Sequence, residues 1–203
     1  MAEEAWLREA IAALQAGRPV RSVPLPAEAP HAARDLGALT AKPVLYVANV
    51  DEGDDDVPAV VAEHAATHEA AAVAISARLE AELSELDDDE AASMRDELGI
   101  AESGLQRVVH GAFSLLDLIA FFTAGEDKPA QSWHLRRGRT AWHAAGEIHS
   151  DIQRGFVRAE VIGWAALVDA GGYAPARDRG VLRLEGRDYV MADGDVITVK
   201  FTP

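Results

Sequence analysis

Residues 43–58 read Pro-Val-Leu-Tyr-Val-Ala-Asn-Val-Asp-Glu-Gly-Asp-Asp-Asp-Val-Pro. The run from Val44 to Ala48 is too short for a helix and is apolar at every position, which is typical of a strand that is buried on both faces of a parallel sheet. A polar loop, residues 49–56, follows at once. The stretch therefore predicts a strand whose carboxyl end opens into a loop rich in carboxylates.

The residues after this loop predict the rest of a strand-helix-strand unit. Pro58 suits the first turn of a helix. The apolar positions that recur there at helical spacing are Val57, Val60, Val61 and Ala65. A second short apolar run, residues 72–75, ends at Ser76 and predicts a parallel strand. Because such units bind ligands beyond the carboxyl ends of their strands, Asn49 and Ser76 are expected at a binding edge.

The amino-terminal segment predicts one amphipathic helix followed by a linker. Leu7, Ile11 and Leu14 recur at helical spacing, and the pattern ends at Gly17. Prolines spaced through residues 19–30 deny the backbone its helical hydrogen bonds, so this stretch is interpreted as a linker. The helix before it is expected to pack separately.

Two helical patterns and a β-rich segment make up the rest of the chain. The helices begin at Asp87, with Glu90 three residues on, and at Ser103. From residue 118 onward, short strands surround one helix at residues 144–154. The predicted strands are Gln131–Arg136, Phe156–Ile162, Val181–Leu184, Asp188–Met191 and Val196–Phe201. Such an arrangement predicts a compact α+β domain of the β-grasp kind.

Charge is distributed unevenly between these two parts. Residues 1–117 hold 8 Lys and Arg against 23 Asp and Glu, whereas residues 118–203 hold 11 of each. The first part therefore repels polyanions, while the neutral second part can present a local basic face.

The chain has the composition of an intracellular protein. It has no cysteine, and acidic Glu3 and Glu4 stand where a secretion signal would carry basic residues. Its longest apolar stretches fall far short of the roughly 20 residues that span a bilayer. No membrane crossing is expected.

Several ordered strings resemble the YchF-type Obg-like ATPases, a family of P-loop proteins. Residues 40–52, Thr-Ala-Lys-Pro-Val-Leu-Tyr-Val-Ala-Asn-Val-Asp-Glu, resemble the family's base-recognition strand. Residues 75–83 are similar to its second base-side loop. Strings similar to the family's terminal TGS domain are Phe121–Gly125, Ile148–Val161, Leu184–Val190 and Asp193–Val196.

The resemblance implies three segments. Residues 1–38 would be the end of a helical coiled-coil insertion with its exit linker, residues 39–117 the last part of an α/β P-loop nucleotide-binding domain, and residues 118–203 a β-grasp TGS domain. The sequence has no Gly-x-x-x-x-Gly-Lys-Ser/Thr string, whose backbone amides and lysine cradle phosphates. Hydrolysis by these residues alone is therefore not expected, and Mg²⁺ is expected only with the full-length family member.

The family resemblance assigns a base site to two loops. Typical GTPases read guanine with Asn-Lys-x-Asp, whereas residues 49–52 read Asn-Val-Asp-Glu, a replacement that in the family accompanies a preference for ATP over GTP. Asn49 would face the purine edge, Val50 would pack at the base and Glu52 would lie near adenine. The second loop would contribute Ser76, Ala77 and Arg78. Read without the resemblance, Asn49 is a turn residue, and Arg78 is as well explained as a solvated surface arginine.

A possible RNA-binding or ribosome-binding face lies in the second part. Cationic and aromatic side chains that could stack on bases gather within ten residues. They are Trp133, His134, Arg136, Arg137, Arg139, Trp142 and His143. The simpler interpretation places Trp133 and Leu135 in the core with the arginines facing water.

For the remaining polar residues, the sequence gives little support for a catalytic or metal-binding role. His149 is interpreted as a helix-end residue rather than a catalyst. The seven histidines show no spacing of a metal site, and the carboxylates at residues 54–56 are more simply solvated than bound to Mg²⁺.

Two functions follow. The first is the carboxy-terminal portion of a cytoplasmic ATPase that prefers ATP and contacts the ribosome or RNA. The alternative is a stand-alone regulatory or RNA-binding TGS module that does not bind nucleotide.

Overall fold

The computed structural model describes residues 2–125 and 128–202, which form two compact units divided between residues 115 and 116. The first unit contains α1 (Ala2–Gln15), α2 (Ala32–Leu36), β1 (Leu45–Asn49), α3 (Ala59–Thr67), β2 (Ala71–Ile75), α4 (Ala77–Leu83), α5 (Asp88–Glu97) and α6 (Gly104–Leu115). The second contains β3 (Leu118–Gly125), β4 (Lys128–Arg136), α7 (Ala141–Ile148), α8 (Ser150–Arg154), β5 (Phe156–Gly163), α9 (Trp164–Ala170), α10 (Tyr173–Asp178), β6 (Arg183–Glu185) and β7 (Asp195–Phe201). Among the described helices, none has both the length and the apolar character needed to cross a bilayer.

The amino-terminal helix α1 forms as predicted but buries a different face. Trp6, Ala10 and Ala13 are buried, whereas Ile11 is 55% exposed and Leu14 is 48% exposed. The buried face packs on apolar residues of the linker, a cluster completed by Val20, Val23 and Ala32. The helix expected to pack separately thus shares a core with the segment that follows it, because proline prevents helical hydrogen bonding without preventing apolar burial.

The predicted strand-helix-strand unit is confirmed. β1 and β2 pair in parallel, in a register that runs from Leu45 opposite Ala71 to Asn49 opposite Ile75. α6 approaches one face of this pair closely at Gly111, where an added Cβ would lie 2.9 Å from Val73 Cγ1.

The burial expected for β1 is wrong. Val47 is 45% exposed, and most of the apolar positions of β1 are only partly covered. The physical reason is that the described sheet of this unit has two strands, so β1 is an edge strand that α6 covers incompletely. α3 is likewise thinly covered: Ala65 is buried, but Val60 is 73% exposed.

The predicted helix starts at Asp87 and Ser103 are confirmed. The Asp87 carboxylate accepts the Glu90 backbone N–H at 2.9 Å. Ser103 Oγ accepts the Gln106 N–H at 3.2 Å, and Gln106 Oε1 accepts the Ser103 N–H at 3.0 Å, which is a reciprocal capping box.

The second unit is a mixed five-stranded sheet in the order β4-β3-β7-β5-β6, in which β3 and β7 run parallel. One sheet face packs against α7 through a core that includes Phe121, Ile119 and Val161. The other face packs against α9 and α10 through Ile162 and Val196. The mixed α/β character is as expected.

Several predicted elements of this unit are wrong in detail. The strand β3 and the helices α9 and α10 were not predicted, so the expectation of a single crossing helix fails. Residues 188–191 form no strand, because Val190 makes only an isolated bridge to Thr140. The helix expected at residues 144–154 is two helices, because His149 is extended at φ −168° and ψ 142°.

Candidate functional site

The carboxyl ends of β1 and β2 bring the two predicted base-recognition segments together. The Val50 N–H donates to the Ile75 carbonyl at 2.9 Å, which continues the strand pairing by one step. The Ala77 N–H donates to Asn49 Oδ1 at 3.0 Å. The predicted edge therefore exists, and a side chain of one segment holds the backbone of the other.

Asn49 retains one group for a ligand. Its Oδ1 is occupied by the Ala77 amide, but its NH₂ group makes no hydrogen bond within residues 2–125 and 128–202. An amide NH₂ is a donor that suits an acceptor nitrogen on a purine edge. Asn49 is exposed, so this donor is accessible.

The second segment begins a helix where a loop was expected. Ser76 caps α4, and its Oγ accepts the Leu79 N–H at 3.4 Å. Ala77 and Arg78 are the first two residues of α4. Serine at this position satisfies an otherwise unpaired amide, and this is why a helix starts there.

Arg78 fits the interpretation as a solvated surface arginine. Its side chain is 81% exposed, and Nε lies 3.0 Å from Glu82 Oε1 one turn along α4. The hydrogen bond to Glu82, with the added charge of Glu52, raises the pKa of Arg78 above its ordinary value. The guanidinium is thus charged and held toward its own helix.

A cleft of about 320 Å³ lies beside this edge. Of the six residues predicted for the base site, Glu52 and Ser76 line it, whereas Asn49, Val50, Ala77 and Arg78 do not. Apolar contacts in the cleft come from Ile75, Leu79, Leu98 and Ile100.

The cleft is strongly acidic. Among the residues that the structure describes, the cleft is lined by the carboxylates Glu52, Asp54, Asp55, Glu80 and Glu102 and by a single cationic side chain, Arg107. Arg107 Nη2 is already paired with Asp55 Oδ1 at 2.7 Å. This lining repels a triphosphate and suits a neutral ring that carries amine donors. Among the described residues, no group of three or more His, Cys, Asp or Glu is arranged to hold a metal ion.

The residues of the predicted RNA face divide between surface and core. Arg136, Arg137 and Arg139 are exposed around the turn after β4. Leu135 is buried and Trp133 packs on the same core, which is where the simpler interpretation of this strand places both residues.

The exposed arginines have few partners. Arg137 Nε lies 3.4 Å from Asp117 Oδ1, and Arg139 Nη1 lies 3.4 Å from His143 Nε2. Trp142 is half-buried under the Arg187 guanidinium, 5.4 Å from the ring centroid. Arg187 thus joins Trp142 at this surface.

Comparison with known proteins finds matches to both units of the chain. Residues 118–202 match the family model YchF-GTPase_C, described as "Protein of unknown function (DUF933)". The chain is 41% identical over 196 residues to the Bacillus subtilis ribosome-binding ATPase YchF, and 39% identical over 203 residues to that of Escherichia coli O157:H7. The chain belongs to the YchF family.

The match extends over part of each relative. It includes 93% of this chain and 53% of the Bacillus protein, and 98% of this chain and 56% of the Escherichia protein. The solved structure of the Schizosaccharomyces pombe YchF GTPase matches at 27% identity with a TM-score of 0.76, covering 98% of this chain and 54% of that one. The chain thus spans about half the length of the YchF proteins that it matches.

The sequence of this YchF-family chain did not predict three residues that contribute to the acidic cleft or to the arginine-rich surface around Trp142. Glu80 Oε1 accepts the Gly104 N–H at 2.7 Å and so caps α6, and Arg107 pairs across 52 residues with Asp55. Arg187 is 45 residues from Trp142 in the chain. No local pattern marks contacts of such separation. His149, by contrast, is confirmed as a helix-end residue, because its Nδ1 accepts the Asp151 N–H at 3.1 Å.

Proposed function

We propose that this chain is the carboxy-terminal portion of a YchF-type Obg-like ATPase and provides the base-recognition edge of an ATP site. The observation that carries the proposal is the juxtaposition of the Asn49 and Ala77 segments at the end of the parallel strand pair. Asn49 donates to the purine edge through its NH₂ group. Glu52, which lines the acidic cleft, accepts from the adenine amine.

Preference for ATP over GTP follows from the residues at positions 50 and 52. A GTPase places an aspartate to accept from the guanine ring and its exocyclic amine. Glu52 is longer by one methylene, so its carboxylate can lie farther from the backbone than that of an aspartate. Val50 supplies an apolar contact where the GTPase motif has lysine. Ser76, Ala77 and Arg78 form the second wall through the start of α4.

The described residues fit a base and do not fit a triphosphate. The neighbouring cleft holds five carboxylates, and the sequence contains no phosphate-binding Gly-x-x-x-x-Gly-Lys-Ser/Thr string. ATP binding by this chain is therefore weak, and Mg²⁺ together with hydrolysis belongs to the full-length family member.

The second unit is proposed to be a TGS domain of β-grasp architecture that contacts the ribosome or RNA. Its sheet order and the helix α7 across one face support the architecture. The exposed Arg136, Arg137 and Arg139, with Trp142, provide cations and a stacking surface. A ribosome contact implies a cytoplasmic location.

The helix α1 is proposed to be the end of a coiled-coil arm. Ile11 and Leu14 are about half exposed although they are apolar, and they lie three residues apart on one face. An apolar stripe at this spacing is what a second helix would cover.

Nucleoside binding tests the base site. Adenosine and guanosine titrated into the chain, followed by backbone amide shifts, are expected to perturb residues 49–52 and 76–78, with adenosine binding more tightly. Glu52→Asp should reduce the difference in binding affinity between adenosine and guanosine. The control Glu97→Gln, an exposed residue of α5, should leave both affinities unchanged. Equal binding of adenosine and guanosine by the unaltered chain would contradict the assignment.

Ribosome co-sedimentation tests the basic face. Replacement of Arg136, Arg137 and Arg139 by glutamine should release the chain at moderate salt, because each lost phosphate contact reduces affinity and its salt dependence. A matched triple replacement removes three other exposed arginines of the same unit: Arg154, Arg158 and Arg179. Equal loss of binding in both triple variants would show that net charge, and not this face, is responsible.

The alternative function is a regulatory or RNA-binding TGS module that binds no nucleotide. Occupation of Asn49 Oδ1 by the Ala77 amide favours it, because this bond would hold the loop whether or not a base is present. Absence of any nucleoside-induced shift at residues 49–52, with ribosome binding intact, would select this alternative.

A further inference from the structure

A second cleft, of about 270 Å³, lies in the first unit just beyond the end of α1. Its lining includes Leu14, Arg18, Pro19, Arg21, Thr40 and His68, and no carboxylate of the described ranges is among the lining residues. A cationic cleft is unexpected in this unit, because acidic residues outnumber basic ones there by more than two to one.

The two arginines of this cleft lack ionic partners. Within the described ranges, neither Arg18 nor Arg21 lies within 4.0 Å of a carboxylate oxygen. Four of the other five arginines of the same unit are each ion-paired: Arg8, Arg34, Arg78 and Arg107. Two cationic side chains that line the same cleft without a counter-charge favour the binding of an anion there.

Hydrogen-bond donors also exceed acceptors in this cleft. Arg21 Nη2 donates to the His68 carbonyl at 3.1 Å, while its Nε–H is covered and finds no acceptor in the described part of the chain. Arg18 Nη1 donates to Ser22 Oγ at 3.3 Å. Thr40 Oγ1 accepts the Val20 N–H at 3.3 Å, which leaves its hydroxyl hydrogen free to donate. Since each guanidinium carries five N–H groups, most donors of the pair are uncommitted.

We propose that this cleft binds a small phosphomonoester, such as a sugar phosphate, through the phosphate group. Guanidinium groups match phosphate oxygens in pairs, and the Thr40 hydroxyl adds a neutral donor. Leu14 and Pro19 provide an apolar wall for the organic part of the ester. The site is separate from the base-recognition edge and does not depend on the function proposed above.

Size and surrounding charge select a small ligand. The cleft volume of about 270 Å³ is far above the roughly 10–15 Å³ that one water molecule needs, so the cleft has room for more than a bare phosphate ion. A polynucleotide is disfavoured, because residues 1–117 carry 23 carboxylates that repel a long polyanion.

Amide shift titration of the whole chain tests the proposal, with inorganic phosphate and ribose 5-phosphate as probes and sodium chloride holding ionic strength constant. Saturable shifts are expected at residues 17–22 and at Thr40, with millimolar or tighter affinity and with ribose 5-phosphate the tighter ligand. Arg18→Gln and Arg21→Gln should each weaken binding about tenfold. Arg8→Gln, on α1 and 77% exposed at its side chain, is the matched control and should bind as the unaltered chain does.

Four results would overturn the proposal. They are the absence of saturable shifts, unchanged affinity in folded Arg18→Gln and Arg21→Gln variants, inorganic phosphate binding as tightly as the ester, and a single-stranded RNA oligonucleotide displacing ribose 5-phosphate from these residues at lower concentration. If Arg21→Gln fails to fold, Arg21→Lys keeps the charge and a donor for His68. It should still weaken ester binding several-fold, because an ammonium lacks the paired geometry.

Discussion

Replacement of Asn49 separates its structural role from its proposed recognition role. In Asn49→Ala the Ala77 amide loses its acceptor, a 3.0 Å hydrogen bond between the two segments. A hydrogen bond of this kind contributes about 1 kcal/mol, which corresponds to roughly a fivefold change in local opening. In Asn49→Asp the acceptor oxygen remains and gains a charge beside the first turn of α4, which stabilises by about 0.3–1 kcal/mol. Both variants lose the NH₂ donor.

The two variants are therefore expected to differ in local stability at Ala77 and to lose adenosine binding alike. Hydrogen exchange at the Ala77 amide, followed by NMR, should accelerate about fivefold in Asn49→Ala and slow or stay unchanged in Asn49→Asp. Adenosine shifts at residues 49–52 should be lost in both. Asp51→Asn, two residues along the same loop, is the control and should leave Ala77 exchange unaltered.

Two outcomes would refute this reasoning. Unchanged Ala77 exchange in Asn49→Ala would mean that the side chain does not hold the second segment. Full adenosine binding by Asn49→Asp would mean that the amide NH₂ does not read the base.

Two further predictions concern the second unit. Burial alone would raise the pKa of Glu160, but hydrogen bonds and ion pairs with Lys200 and Arg177 lower it overall. Glu160→Gln should therefore cost about 1 kcal/mol at pH 7 by urea unfolding, and the difference should vanish as pH falls below the ordinary value of 4.5 and through the folded pKa. Tyr189→Phe removes a hydroxyl that donates to buried Asp195 at 3.0 Å, and should lower the free energy of unfolding by about 1–2 kcal/mol. Asp195→Ala should lower it further, because the Ala192 backbone N–H also loses its acceptor.

Matched controls exist for both predictions. Glu147→Gln changes an exposed carboxylate of α7 and should show no pH-dependent loss. A Glu160→Gln deficit that persists after Glu160 has become protonated in the folded protein would contradict the ionic explanation. Tyr173→Phe is the control for Tyr189→Phe, because it removes a hydroxyl that donates to the neutral Ala124 carbonyl at 3.1 Å, whereas the Tyr189 hydroxyl donates to a carboxylate. If the two tyrosine variants lose equal free energy of unfolding, the charge of Asp195 does not strengthen the hydrogen bond that it accepts from Tyr189.

Local patterns predicted the elements whose causes are local. The carboxylate of Asp87 three residues before the Glu90 amide, and Ser103 before Gln106, mark helix starts that the structure confirms. The short apolar runs at residues 43–48 and 72–75 predicted the parallel pair. Side-chain caps and strand periodicity act over a few residues, so they are visible without tertiary contacts.

Burial was predicted less well than element type. Leu7, Ile11 and Leu14 suggested the wrong face for α1, because the face that packs is chosen by the shape of the linker residues beneath Trp6. Likewise β3 was missed, although Ile119 and Phe121 lie in the core of the second unit.

The sequence by itself determined the family, the strand-helix-strand unit and the adjacency of residues 49–52 to residues 76–78, because each depends on motifs or on chain connectivity. Only the tertiary structure decided the exposure of Val47, the acidic cleft with its Arg107–Asp55 pair, and the arginine-lined cleft beyond α1. These properties depend on which side chains meet across tens of residues. The free energies of burial and of ion pairing depend on these long-range contacts, and no local spacing of residues predicts them.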